Sequence, residues 1–158
     1  MVTTISTNTF IKDIVIFLRD FLQSNITDPL GASRPSGQKL VYTSYPTKSV
    51  TYPIITVKNI NIEDTGRLGM QSEVRQAMMT IELRIWARNT KERDEMSQEI
   101  INDLRTNEFP ASTSGTSTFA GMHDFKLLSA IEIDEDKVGE ETVKSKIIEI
   151  QYFLILTP

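Results

Sequence analysis

The sequence predicts an α+β fold: a mostly antiparallel sheet of about four to six strands with two main helices packed on one of its faces. Three stretches carry that expectation. From Ala77 to Ala87 one side of a strict alternation reads Ala77, Met79, Ile81, Leu83, Ile85, Ala87 and the other Met78, Thr80, Glu82, Arg84, Trp86, the pattern of a long strand with one buried face. Directly after it, Asn89 offers a helix cap with Glu92 three residues on, and apolar residues recur at Met96, Ile100, Ile101 and Leu104. A strand joined to an amphipathic helix by so short a connection has that helix fold back over its own apolar face, because neither element buries its stripe alone. Near the C-terminal end, Ile148, Ile150, Tyr152, Leu154 and Leu156 form one face of a further long strand.

The remaining elements follow in order. Residues 9–23 predict the first helix, capped by Thr9 or Asn8: Phe10, Ile14, Phe17, Leu18, Phe21 and Leu22 form a wide apolar arc with Ile11 and Val15 at its margin, and charged residues gather opposite. Ile16 falls within the wet arc, as a scattered surface residue or as a contact with another chain. The stretch from Asn25 to Gly37 holds Pro29, Gly31, Pro35 and Gly37 and reads as a long turn-rich connection. Lys39–Tyr45 predicts a short strand closed by Pro46. A second strand starts at Pro53 and runs through Val57, and the change of phase to Ile60 and Ile62 asks for a bulge near Lys58 or Asn59. Glu63–Ser72, with Gly66 and Gly69, is expected to turn a long hairpin into the central strand; it lacks the Lys-Ser/Thr ending and following helix of a phosphate loop. After the second helix, 106–124 is rich in Ser, Thr and Gly, with Phe109, Phe119 and Met122 as apolar anchors for a partner and His123 as a surface loop residue. Phe125–Ile133 and Val143–Leu156 predict a closing hairpin. Residues 1–158 therefore read as a single domain with long loops at 24–38 and 106–124.

Composition narrows the function. A chain of 158 residues hides roughly 70% of its unfolded surface on folding, so no disulfide or metal staple is required. It has no cysteine, which removes zinc-ribbon and thiol chemistry and fits a reducing cytoplasm, and one histidine, His123, leaves little catalytic machinery. A formal net charge of -4 without Lys/Arg clusters argues against a general nucleic-acid or anionic-membrane binder. No apolar run approaches the ~20 residues of a membrane span, and the N-terminal stretch, broken by Lys12 and Asp13, argues against a secretory signal. The Asn25-Ile26-Thr27 sequon then carries no weight.

The chemistry-bearing motifs are thin. Asp134, Asp136 and Gly139 match positions of a calcium loop, but Val138 and Ser145 stand where ligands are needed, so the carboxylate run from Glu132 to Glu141 reads as a solvated hairpin tip. No serine sits in a hydrolase signature, and no carboxylate dyad can be placed. Trp86 is suited to stacking a base or sugar, although strand tryptophans more often pack or form interfaces. Phe153 and Ile155 make the final third of the last strand apolar on both sides. With Met78 and Trp86 they ask for a cover, either another chain or a second layer from the long loops of the same chain.

Taken together, the N-terminal helix, the Tyr52-Pro53-Ile54-Ile55-Thr56-Val57 strand, the Gly-containing charged hairpin, the Met79–Ala87 strand, the helix with early Asp/Glu and late Ile-Ile-x-x-Leu, and the terminal apolar hairpin resemble the tail terminator, or tail completion, proteins of long-tailed bacteriophages. The similarity runs from about Phe10 to Leu156. It implies a small α+β subunit that does no chemistry, uses no cofactor or metal, and closes into a homo-oligomeric ring, commonly of about six, that ends the tail tube and joins it to the head connector. On that plan Met78, Trp86, Phe153 and Ile155 supply the subunit contact. Arg67, Met70, Phe109 and Phe119 sit on loops that dock the tail tube protein or the connector, and the acidic tip Asp134, Glu135, Asp136, Glu140 and Glu141 faces a channel through which packaged DNA passes. It would reside in the virion neck after assembly in the host cytoplasm, with no membrane partner. A head-closure or adaptor subunit of the same particle is the nearest alternative, and a small-molecule-binding domain or enzyme the more distant one.

Overall fold

A computed structural model describes residues 9–67, 69, 74–108, 122–138 and 141–156. The first helix, α1 (Phe10–Asn25), is followed by a 3-10 turn at Gly31–Ser33 and the two-residue strand β1 (Val41–Tyr42). Then come β2 (Ile54–Arg67), β3 (Arg75–Ala87), α2 (Thr90–Glu108), β4 (Met122–Val138) and β5 (Glu141–Leu156). The strands form one sheet in the order β1-β2-β3-β5-β4, antiparallel except for the β1/β2 pair. This is the α+β architecture the sequence predicts, with β3 and β5 side by side at its centre.

The alternation of β3 is realised in full, Ala77, Met79, Ile81, Leu83, Ile85 and Ala87 being buried. They pair across the ladder with Ile55 and Val57 of β2 and with Ile148, Ile150, Tyr152 and Leu154 of β5, so one face of three adjacent strands is apolar. Both helices lie on that face: α1 over β1 and β2, α2 over β3, β4 and β5. Ile14, Phe17, Leu18, Phe21 and Leu22 of α1 and Met96, Ile100 and Leu104 of α2 complete the core. Ile11 is exposed rather than at the margin of the buried arc, whereas Ile16 is half-buried.

The start of α2 holds the expected cap with one difference. Asn89 Oδ1 accepts the Glu92 N–H (2.9 Å), and the Glu92 carboxylate accepts the N–H of Arg88 (3.0 Å), one residue further back than the usual reciprocal bond. Arg88 also donates from its guanidinium to the same carboxylate, which explains the longer reach.

Several boundaries depart from expectation, each for a local reason. The Lys39–Tyr45 strand shrinks to Val41–Tyr42. Gln23 Oε1 on α1 takes the N–H groups of Leu40 (3.1 Å) and Val41 (3.0 Å), and Tyr42 Oη takes that of Lys39 (2.9 Å), so side chains replace the ladder there. The bulge lies between Asn59 and Asn61, making Ile60 the extra residue. Glu63 and Asp64 belong to the ladder and not to a turn. A second bulge, between Asp64 and Gly66, carries β2 on to Arg67; Gly66 takes φ +101 there while its N–H bonds Asp64 Oδ1 at 2.9 Å. Residues 106–108 extend α2, and Met122, His123 and Asp124 open β4, so both ends of the expected 106–124 loop are regular structure. His123 is consequently a strand residue paired with Phe153.

Candidate functional site

The face of the sheet turned away from the helices is where cover was expected, and its two ends differ. At one end Trp86 pairs with Ile54 and Ser145. Over them lies a satellite cluster made by the chain's own 42–53 segment, with Tyr42, Tyr45, Val50 and Tyr52 packed against Ile54, Val143 and Trp86. The Tyr45 ring meets Trp86 edge-on at 5.0 Å, the Arg84 guanidinium lies 4.0 Å above the indole, and the indole N–H donates to Thr56 Oγ1 at 3.4 Å. Trp86 is thereby half-buried by its own chain, the second of the two covers the sequence left open.

This cover is fastened from below by Arg34, whose side chain is only 6% exposed. Its guanidinium grips Asp28 at 2.5 and 2.8 Å and donates to the carbonyls of Thr51 (3.1 Å) and Pro53 (2.8 Å). The Arg34 hydrogen bonds hold the Asp28 carboxyl below its ordinary value of 3.8, outweighing the opposing effect of burial. Sequence reading missed Arg34 because a charged residue in a Pro/Gly-rich connection looks solvated; the nearby run of three tyrosines was the available signal.

The other end of the face is bare among the described residues. Met78 lies opposite Phe153 and Gln76 opposite Ile155. Met78 and Phe153 are half-buried and Ile155 is 44% exposed. Phe153 is flanked by the His123 ring at 6.1 Å and by Lys126 Nζ at 5.6 Å. Between the two ends run Arg84 opposite Ile147, Glu82 opposite Glu149, and Thr80 opposite Gln151. The structure thus brings together Met78, Phe153 and Ile155 and sets Trp86 apart from them beneath a loop.

Arg67 is the last residue of β2, paired with Arg75, and not a loop residue, because the Gly66 bulge lets the ladder continue. Met70, Phe109, Phe119 and Glu140 lie outside the described residues. Asp134, Glu135 and Asp136 lie on β4 and Glu141 opens β5, in a ladder that pairs Asp136 with Val143 and Val138 with Glu141, so the described part of the acidic run belongs to two paired strands and not to the helices that flank a calcium loop.

An ion network absent from the sequence reading ties α2 to the sheet. Arg93, 2% exposed, bonds Asp94 (3.0 Å) and Glu132 (3.1 Å), and Lys146 on β5 reaches the same two carboxylates at 3.0 and 3.1 Å. Arg93 chiefly, with Lys146, draws the Asp94 carboxyl below 3.8. All four groups are used in holding α2 against β4 and β5.

A small-molecule site would need a concavity that combines Trp86 with a perturbed carboxylate. An open groove of about 600 Å³ lies on the outer side of the 42–53 cover, lined by Gln38, Tyr42, Tyr45, Lys48 and their neighbours, with neither Trp86 nor a carboxylate in its wall. A second, of about 380 Å³, lies between Thr27 and α2; its carboxylates are Glu92, Glu95 and Glu99, and Glu99 is already engaged by the N–H (2.9 Å) and hydroxyl (2.8 Å) of Thr27. Among the described residues no three His, Asp or Glu side chains converge as a metal site, and no helix is long and apolar enough to cross a membrane. In comparisons with known proteins, no family model and no curated sequence matches this chain.

Proposed function

We propose that this chain is a structural virion subunit that closes into a ring, commonly of about six copies, at the end of a phage tail tube and joins that tube to the head connector. The observation that carries the reading is the half-covered sheet. Among the described residues both helices are spent on one face, the chain's own loop shelters the Trp86 end of the other, and half-buried Met78 and Phe153 with exposed Ile155 are left for a neighbour. The order of elements that resembles tail terminators is the second support. In such a ring the acidic hairpin from Asp134 to Glu141 keeps DNA from adhering when turned to the channel, by repulsion that salt screens beyond ~8 Å at physiological ionic strength.

The test is the mass of the purified protein alone and mixed with tail tubes or with DNA-filled heads. Capture by tubes is the expected result; capture by heads alone would reassign the subunit to head closure, and a monomer indifferent to both would overturn the reading. Phe153→Asp is expected to stay folded, losing about 1 kcal/mol as a half-exposed strand residue, and to fail in assembly. Loss of the fold itself would show Phe153 to be a core residue.

A further inference from the structure

The segment that shelters Trp86 is held firmly at its ends and hardly at all between them. β1 fixes Tyr42 against β2. On the far side Thr51 is gripped twice, its N–H by Gln38 Oε1 (2.8 Å) and its carbonyl by the Arg34 guanidinium (3.1 Å). From Thr43 to Val50 the backbone is neither helix nor strand. Among the described residues its one hydrogen bond comes from Gln38 Nε2 to the Ser49 carbonyl, at a long 3.5 Å. The side chains of this stretch add one more, between the hydroxyls of Tyr45 and Tyr52.

Its packing is one-sided as well. Tyr45, Pro46 and Val50 are half-buried, whereas Thr43, Ser44, Thr47, Lys48 and Ser49 are exposed. Tyr45 and Val50 pack inward on the cluster of Ile54, Val143 and Trp86, and the outer side borders the open groove of about 600 Å³. The cover on the opposite face is built differently: α1 and α2 carry their own backbone hydrogen bonds and share one continuous core with β2, β3 and β5. Segments with few backbone hydrogen bonds and few buried contacts open at a lower free energy than the fold as a whole. Lifting this one breaks no ladder, because β1 ends at Tyr42 and β2 begins at Ile54.

We propose that residues 43–50 form a strap that lifts from the sheet as a unit, hinged at Tyr42 and Thr51, while the rest of the fold stays closed. Closed, the strap withholds one end of the outer face. Open, it bares Trp86 and Ile54, which share one cross-strand row; Ile147 and the exposed Ile131 share the next. The face therefore has two states, apolar at the Met78–Phe153 end alone or apolar at both ends. The indole keeps its place in either state through contacts within the sheet: the Arg84 guanidinium, which also donates to Ser145 Oγ (3.4 Å), lies 4.0 Å above the ring, and the ring N–H donates to Thr56. The inference concerns the single chain and stands whether or not copies close into a ring.

The single tryptophan lies under the strap, so the unmodified protein reports on it. Emission wavelength and acrylamide quenching of Trp86 are followed in urea beside the far-ultraviolet helix signal. Trp86 is expected to become quenchable, and its emission to move to longer wavelength, at urea concentrations where the helix signal is still native; coincident curves overturn the proposal. Gln38→Ala removes the bonds to Thr51 and Ser49 and should move the tryptophan curve to lower urea while the helix curve stays in place. Equal displacement of both curves would show that strap and core open as one. Because the chain has no cysteine, a thiol can also be placed under each cover in turn. Ile54 lies beneath the strap and Val57 beneath the helices, both fully buried. With each rate read against the variant's own unfolding curve, Ile54→Cys should react with a thiol reagent about ten-fold or more faster than Val57→Cys, and with a weaker dependence on urea because little surface opens. Equal rates with equal urea dependence overturn the proposal.

Discussion

Replacing Arg34 with Met tests whether one buried guanidinium holds the cover over Trp86. The substitution keeps much of the aliphatic stem and removes four donated bonds, two to Asp28 and one each to the carbonyls of Thr51 and Pro53. Breaking a buried pair by deleting one partner costs ~3–5 kcal/mol. Asp28 keeps 20% exposure and a bond from the Leu30 N–H (3.0 Å), so the loss belongs at the low end, about 3 kcal/mol. For a chain of this size that corresponds to a melting point lower by roughly 6–12 °C. The single tryptophan supplies a local reading: once Thr51 and Pro53 are released, Tyr45 no longer shields Trp86, and its emission moves to longer wavelength below the melting transition. The acid limb changes too. The folded Asp28 carboxyl titrates below its unfolded value of 3.8, so its contribution is complete above 3.8 and is lost as pH falls through the lower folded value; Arg34→Met flattens that part of the stability profile. A melting point within about 2 °C of the parent, with unshifted emission, would refute the clamp.

Two further outcomes follow from the same coordinates. Asn89→Ala removes the side-chain acceptor from the Glu92 N–H and should cost about 1 kcal/mol in urea unfolding, within the ~0.5–2 kcal/mol measured for such caps; an unchanged midpoint would mean that Glu92 and Arg88 suffice to start α2. Asp94→Asn weakens the network with Arg93 and Lys146, and because the native carboxyl is held below 3.8, its stabilisation is present above that value and disappears as pH drops through the folded one. The variant's melting temperature should therefore fall less steeply than the parent's between about pH 5 and about pH 2, and parallel curves would remove Asp94 from the account.

The parts of the fold legible from the amino-acid order are those governed by local period. Six alternating residues of β3, the recurrence in α2 and the late apolar alternation of β5 each report their own burial, and the phase change beyond Val57 calls for a bulge, which falls at Ile60 just past the expected Lys58 or Asn59. What escaped were contacts between residues distant in the chain. Arg34 is buried because Pro53 and Thr51 return to it, and Arg93 because Glu132 lies opposite; in both cases the charge is satisfied by a partner no local window contains. The candidate interface was half legible for the same reason. Two-sided apolarity at Phe153 and Ile155 is written into β5 itself, whereas the sheltering of Trp86 depends on tyrosines more than thirty residues earlier.

The position of β5 has a consequence for how the fold is completed. Among the described strands it comes last in chain order, yet it lies between β3 and β4 and is the strand that joins them within the sheet. Until residues 141–156 have been translated, the growing polypeptide holds two separate pieces, a β2–β3 hairpin and a lone β4, that share no ladder. A chain stopped before β5 leaves the facing sides of β3 and β4 without their shared partner, so the sheet closes only when this strand arrives.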